Sequence, residues 1–503
     1  MKKVLIAGGG VSGLCAGIHL QMAGYACTIF ERAALPGGNL TGWNRRGCHI
    51  DNCLHWLTGT RPGTDLYRLW ERCGILAPDC PPRRAPALFS SEGVDGRCLT
   101  FHRDARRAEE EFLAASPCDR RAASAFFRAV RDMAAEAVGQ GRSPAARAAQ
   151  MRDILSFGPR SLSAIAAAFR DPFPAAALTD YIGGDYSALG LIYAYAHFTV
   201  GNADLPAMSS RAAAARMADR FRALGGELHL SAPVLSLTAG AHEVRLHTAV
   251  GDAAGDAAIL TCDPAVIFPA WLPLSAMPVT LARRYRAPHA FPVFSAFHAA
   301  FRLAPPNAEN AAMSGGVCRK TDSGAPAGDA GAAFLAEGTH AFPVRPFRAG
   351  GRDCSRLTVR IHAPKEGGQV LQTMLFLHEE DCRAWIYERE ADPAAYAAHK
   401  AALAAALLDR VAAHYPAMRG RLSLLDAWTP ATYHRYLDSH CGAFMSFAVT
   451  GRALPLPISE ARPVAPRVYL AGQWLRPPGG LPGAALSGRA AAMAVMAQAG
   501  AQG

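Results

Sequence analysis

Gly8, Gly10 and Gly13 follow the spacing glycine-x-glycine-x-x-glycine, with Val11 and Ser12 between the last two. Backbone amides at such a turn can hold the paired phosphates of a dinucleotide, because no side chain blocks their approach. In this arrangement Gly8 permits the tight turn and Gly10 lets the backbone reach a pyrophosphate. Gly13 lets a helix close on a strand. Glu31 lies eighteen residues past Gly13, where a carboxylate can accept hydrogen bonds from a ribose. The flanks strengthen the reading. Val4 to Ile6 is a short apolar run of strand type, and an apolar helical pattern follows to about Ala23. Gly24 breaks it, and Cys27 to Phe30 reads as a second strand. The whole is a βαβ dinucleotide unit.

A second glycine-rich helix start lies near the other end of the chain. Val468 to Gly472 reads as a buried strand ending in glycine, and it feeds a loop from Gln473 to Pro482. Gly483 to Gly488 then opens a helix of alanines and methionines. Its amides offer another site for an anionic or electron-rich ring system, and its small residues allow close approach to a flat cofactor. Paired with the first unit, this points to one long cofactor gripped at both ends.

Several segments resemble the phytoene-desaturase family of flavoproteins, which includes carotenoid desaturases, carotenoid isomerases and retinol-saturase-like enzymes. They are VLIAGGGVSGLCAGIHLQMAGYACTIFE, PGGN, GCHIDNCLHWLTGT, LGGELHLSAPVLSL, TPATYHRY and VYLAGQWLRPPGGLPGAALSGRAAA. The resemblance implies FAD, with Gly8, Gly10 and Gly13 at the diphosphate and Glu31 at the adenosine ribose. It also implies Gly37 and Gly38 near the diphosphate, and the backbone of Val234 at adenine. Gly472, Gly480, Pro482 and Gly483 would surround the ribityl and isoalloxazine. Val11, Ser12, Arg32 and Leu481 belong to the same cofactor-binding segments. The chain also departs from the family pattern. Asn39 stands where a basic residue is usual, and Gln473 where an acidic one is frequent. Arg476 replaces a frequent histidine, Pro478 replaces a glycine, and Leu205 to Ser209 lacks a glycine pair. FAD binding survives these changes, whereas no specific carotenoid reaction follows from them.

Fewer residues present themselves for the chemical step. Gly47 to His55 reads as a strand, so Asp51, Cys53 and His55 share one face. His55 is the candidate to exchange a proton with substrate, against the alternative of a structural histidine. Trp56 and Trp474 could wall the flavin, or simply pack. Arg476 could stabilise negative charge on the reduced ring, and Tyr433 could line a substrate cavity. Cys48 and Cys53 have the spacing of a redox disulfide, but positions five apart on a strand point to opposite faces. There is also no second glycine pattern for a nicotinamide cofactor. No metal-ligand cluster, Ser-His-Asp arrangement or phosphate-binding P-loop stands out. That pattern suits flavin chemistry, where the cofactor supplies the hydride site.

These residues must be positioned by a chain of 503 residues, half apolar and 18% charged, long enough for two or more domains. The expected fold is α/β: a glutathione-reductase-like FAD-binding Rossmann domain with an inserted α+β substrate domain. Residues 1–75, 200–290 and 455–503 are assigned to the first, and 76–199 and 291–454 to the second. Residues 76–100 read as a boundary, 105–169 as helical and 305–335 as a loop or lid. Arg, Asp or Pro interrupts every long apolar stretch, so no spanning helix is expected. The N-terminus enters its first strand directly, and thirteen scattered cysteines suit a reducing compartment, so a cytoplasmic location is expected. The net charge of +11 comes almost entirely from arginine, with lysine only at Lys2, Lys3, Lys320, Lys365 and Lys400. A biased base composition accounts for this most simply. Attraction to an anionic membrane surface would suit an oily substrate, while nucleic acid lacks a recognition module here.

The expected function is FAD-dependent saturation, desaturation or isomerisation at a carbon–carbon bond of an apolar, polyene or isoprenoid-like substrate. One alternative is amine oxidation at a C–N bond, which the aromatic run Tyr186, Tyr193, Tyr195 and Phe198 keeps open. Another is a flavin-stabilised binding protein without catalysis. The electron donor or acceptor is not written in the sequence.

Overall fold

The computed structural model describes residues 1–53, 56–138, 143–306, 334–453 and 456–500, with side chains to 498. The βαβ unit consists of strand Lys3–Ala7, helix Val11–Met22 and strand Ala26–Phe30, the two strands pairing in parallel. Helices cover one face of this sheet, and the other packs on the three-stranded sheet Val234–Ala239, Val244–Thr248 and Gly251–Gly255 with the helices that follow it, so its strands are continuous apolar runs rather than alternating ones. Leu5, Ile6 and Ala7 have no exposed surface at all.

The parallel sheet draws on distant parts of the chain. Its order is Val468–Leu470, Ala257–Leu260, Lys3–Ala7, Ala26–Phe30 and Glu227–His229. The first and last strands of the protein are therefore separated by a single strand. The C-terminal helix Gly480–Gly500 lies against the opening helix. That contact needs a glycine, since a Cβ on Gly488 would sit 2.2 Å from the Ser12 carbonyl oxygen. Every strand of this sheet falls within 1–75, 200–290 or 455–503.

A seven-stranded sheet forms the second large sheet of the chain. Its order is Leu422–Trp428, Ser295–Leu303, Gln369–Leu377, Arg352–Ile361, Gly338–Ala349, Ala87–Glu92 and Cys98–His102. Residues alternate between its two faces. Phe297, Phe301, Leu357, Val359, Leu371 and Leu377 point to helices Glu379–Ala391 and Pro393–His414, forming a core with Trp385, Leu407 and Val411. The intervening residues, among them His298, Gln372, Met374, Arg356 and Arg360, face the other way.

The region 76–100 corrects the sequence reading, because it contains the strand Ala87–Glu92 and the start of the edge strand Cys98–His102 of this sheet. Its polar residues look loop-like only in isolation. Ser90 meets the His340 ring at 2.7 Å, and Ser91 donates to Asp180 at 2.7 Å, so the strand's polar groups are satisfied from elsewhere. The helical stretch that follows breaks into Ala105–Ala115, Arg120–Ala137, Pro144–Phe157 and Leu162–Ala166. Asp104, Ser143 and Ser161 cap three of these starts by accepting backbone N–H bonds. Most of the expected loop at 305–335 lies outside the described residues.

Two buried histidines make the fold acid-sensitive. Burial lowers the imidazoles of His197 and His340 from 6.5 to about 4. A folded value below the unfolded one means that folding favours the neutral ring. Stability is therefore complete above about pH 6.5 and falls as pH drops toward 4, by on the order of 3 kcal/mol per histidine at the acid limit. Urea midpoints at pH 7 and pH 5 should differ accordingly. The double variant His197→Gln, His340→Gln should show a flatter profile.

Candidate active site

A cavity of about 1170 Å³ runs from the glycine turn to the face of the seven-stranded sheet that is turned away from its helices. At its first end it is lined by Gly8, Gly10, Val11, Ser12, Gly37 and Gly38. Gly8 adopts a φ of +105°, which a residue with a side chain rarely takes. Gly10 is the N-cap of the opening helix and offers no side chain to its first-turn amides. The Ser12 hydroxyl is buried without a partner among the described residues. Orphan donors at a helix start, opening onto a cavity, fit a diphosphate. Gly13 lies behind this wall. A Cβ there would be 2.0 Å from the Gly8 carbonyl oxygen, so its place is the helix–strand contact.

Glu31 stands on the wall with both oxygens engaged, accepting the Gly9 and Ala33 N–H groups at 2.7 Å each. Arg32 also lines the cavity and reaches across it to the Asp438 carboxylate and the Tyr436 carbonyl. Val234 lies beside Pro233 on the same wall. From the C-terminal block come Gly472, Gln473, Gly480, Leu481 and Pro482. Gln473 Oε1 accepts the Gly480 N–H at 3.3 Å, which ties the loop to the helix start. Gly483 is turned toward the Arg476 backbone and does not line the cavity.

Where the two halves of the cavity meet, a polar cluster closes the wall. Asn39 donates to the Phe444 carbonyl at 2.7 Å and accepts from Asn52 Nδ2 at 2.8 Å. Asn52 Oδ1 in turn accepts the Tyr433 hydroxyl proton at 3.0 Å. Trp428 Nε1 donates to the Tyr433 oxygen at 3.0 Å, and His298 Nε2 lies 3.0 Å from the same oxygen. The phenol's one proton goes to Asn52, so His298 Nε2 must be the donor. The imidazole stacks on Trp428 at 4.7 Å and 3° and lines the cavity.

The far half is apolar above and mixed below. The helix Ala188–Thr199 sets Leu189, Gly190, Tyr193 and Ala194 on the cavity side, with Tyr186 just before it. This three- and four-residue spacing divides the aromatic run, because Tyr195 and Phe198 point into the core. Ile182, Met374, Phe376, Phe444, Met445 and Val449 complete the apolar lining. The strand Arg352–Ile361 contributes Arg352, Arg356, Thr358 and Arg360.

The residues proposed for chemistry fare unevenly. His55 lies outside the described residues. Its expected strand already ends at Asp51, whose carboxylate turns to Ser210 and the Cys53 N–H. Arg476 is corrected: it forms a two-point pair with buried Glu460, at 2.6 and 2.8 Å, and is not on the cavity wall. Tyr433 is also corrected, since it stands behind His298 and Asn52 rather than in the cavity. Burial pushes its phenol far above the usual range, so it stays neutral and positions its neighbours. Trp56 and Trp474 do line the cavity. Cys53 lines it too, but burial raises its thiol to about 12, and Cys48 points to the Gly367 carbonyl instead. Among the described residues Glu379, His440 and Cys441 bring three ligating atoms within 4.8 Å, although Arg383 already pairs with that carboxylate at 2.7 Å.

His298, Asn52 and Arg360 escaped the sequence reading. The signal for Arg360 was present, as Arg352, Arg356 and Arg360 recur every four residues on one strand face. His298 stood as a lone polar residue among Phe and Ala, with nothing local to show which side mattered.

A parallel βαβ sheet with a capless glycine turn, a second glycine loop and a mixed, mainly antiparallel sheet closing one cavity define an FAD-dependent oxidoreductase fold. The family model for flavin containing amine oxidoreductases matches residues 11–346, and the chain belongs to that family. An oxidoreductase from Methanosarcina mazei has a similar structure, with a TM-score of 0.59, 14% identity, and coverage of 98% of this chain and 100% of that one. Putrescine oxidase bound to putrescine matches with a TM-score of 0.55, 15% identity and 99% coverage of each chain. Cyclohexylamine oxidase from Brevibacterium oxydans gives 0.54, with 15% identity and 99% coverage of each. At these identities the likeness is one of fold. No curated protein matches the chain in sequence. Among the described residues no helix is long and apolar enough to cross a membrane.

Proposed function

We propose that this FAD-dependent oxidoreductase acts on a carbon–carbon bond of an elongated, mostly apolar substrate, by saturation, desaturation or isomerisation. The observation that carries the reading is the charge of the substrate half of the cavity. Its basic side chains are Arg352, Arg356 and Arg360, and the enclosed carboxylate of Asp180 is taken by Arg356 at 2.7 and 2.8 Å. A protonated amine entering there would meet three guanidinium groups, and the one carboxylate that their strand adds to the wall, Asp353, turns outward beside Arg348, 85% exposed. The apolar wall of Ile182, Met374, Phe376 and Phe444 favours hydrocarbon instead.

Bound FAD supplies the hydride donor or acceptor. The chain's own residues do the rest. The glycine turn and Ser12 hold the diphosphate, while Asn39 and Gln473 anchor the loops around the other end. The apolar walls exclude water and align the substrate. His298, fixed as a donor at Nε2, is the cavity imidazole suited to balancing a proton on a substrate carbon or oxygen.

His298→Gln should lower turnover about a hundredfold while leaving the flavin spectrum and content unchanged. Tyr433→Phe should cost less, about tenfold or below, because it only loosens the ring. Steady-state rates beside flavin absorbance check both.

A second reading, oxidation of a C–N bond, is supported by the aromatic side chains Trp56, Tyr181, Tyr186 and Tyr193 on the cavity wall and by the amine oxidases of similar fold. An absorbance spectrum and extraction of bound lipid from the purified protein, followed by anaerobic mixing with retinol and geranylgeraniol, separate the two. A change in flavin redox state with either isoprenoid supports the first reading. Peroxide release with putrescine or cyclohexylamine, and no response to the isoprenoids, would replace it with the second.

A further inference from the structure

The substrate half of the cavity contains a positive charge that its surroundings do not neutralise. Arg352 is answered by Asp185 at 2.8 Å, and Arg356 by Asp180 through two bonds. Among the described residues Arg360 has no carboxylate of its own. The nearest, Glu337, is 3.9 Å away and is already clasped by Arg83 at 2.9 and 3.0 Å. Two guanidinium groups thus share one carboxylate, leaving one positive charge.

The hydrogen bonding of Arg360 is incomplete as well. One Nη donates to Thr339 Oγ1 at 3.2 Å, and Nε is buried with no partner among the described residues. The side chain is only 14% exposed and lines the cavity, so bulk water does not compensate for these deficits. Burial lowers the guanidinium's pKa, the direction expected of a charge that lacks an anion. Nearby His340 is driven neutral by the same burial, and Tyr181, whose phenol is raised, adds no charge.

We propose that Arg360 anchors a carboxylate carried by the substrate, and that the substrate class is an elongated apolar carboxylic acid. A guanidinium matches a carboxylate with two parallel N–H bonds, and the single surplus charge matches a monoanion better than a phosphate monoester. The register gives the length. Arg360 pairs across the sheet with Gln372, and the His298 strand lies on the far side of that one. Two strand spacings put the anchor on the order of 10 Å from His298. The acid head would sit at Arg360 and the reacting bond further along the chain, near His298.

This inference rests on the apolar-substrate reading above, and the test separates them. Oleate and methyl oleate are titrated into the flavin-loaded enzyme, with flavin absorbance and unfolding temperature as readouts. Oleate should bind at least tenfold more tightly than its ester. In Arg360→Gln that preference should fall to near one with flavin content unchanged, and Arg360→Lys should retain part of it. Equal binding of acid and ester by the wild type, or an intact preference in Arg360→Gln, overturns the anchor and leaves the apolar reading standing. Failure of both probes to bind overturns both. The acid–ester comparison is made in the unmodified protein, so it holds even if a variant folds poorly.

Discussion

Gly13→Ala should purify colourless, with flavin per polypeptide down at least tenfold. Even the smallest side chain places a Cβ 2.0 Å from the Gly8 carbonyl oxygen and 3.2 Å from Ile6 Cγ2. No rotamer change relieves a Cβ pressed against backbone. Neither neighbour can yield, because Gly8 is held by its N–H bond to the Phe30 carbonyl at 2.9 Å and Ile6 is fully buried. The helix must therefore lift from the sheet, which carries the amides of its first turn away from the diphosphate. The strain should also cost on the order of 3 kcal/mol of stability. Gly24→Ala is the contrast. Its φ is +84°, but nothing lies within 4 Å of the added atom, so the cost should be about 1 kcal/mol with flavin retained. The ratio of flavin to protein absorbance after purification, with a urea titration, decides it. A fully yellow Gly13→Ala protein would remove the glycine turn from the cofactor site.

Asp51→Ala should destabilise the protein by on the order of 3–5 kcal/mol and release flavin more readily. The carboxylate is 8% exposed. It accepts the Ser210 N–H at 2.8 Å, the Ser210 hydroxyl and the Cys53 N–H at 3.1 Å. Losing it takes the shared acceptor away from three donors inside the protein, at about 1–3 kcal/mol each. Two of them belong to the first turn of helix Ser210–Ala223, and the third lies next to Asn52, which holds Asn39 at the cofactor loop. The damage therefore reaches the cavity. Asp51→Asn keeps one acceptor and should recover part of the loss. Urea unfolding followed separately by tryptophan and flavin fluorescence checks both variants. Unchanged midpoints in Asp51→Ala would mean that the joint is not structural.

These two residues illustrate how unevenly the site could be read from the chain. The role of Gly13 is local, since a tight turn and the helix after it are adjacent in sequence, and spacing alone states what they need. Asp51 read as part of a longer strand leading to His55, yet its partner is Ser210, far along the chain. Period-two patterning shows that one strand face is buried, but not which distant element buries it. The same limit hid Ser90 and Ser91 in a segment that looked like a boundary, and it set Arg476 beside the flavin when Glu460 had already claimed it. Tyr433 and Trp428 lie close in the chain. His298 and Asn52, which complete their network, do not.

What the sequence by itself determined is the cofactor end: the glycine turn, the acidic strand end, and the second glycine loop. Each depends on a few neighbouring residues whose backbone must take one shape. Only the tertiary structure decided the reacting end. A cavity wall is made where sheet, helix and loop converge. Whether a histidine or arginine faces that wall, and whether its charge has already been answered, depends on contacts between separate elements that spacing within any one segment does not specify.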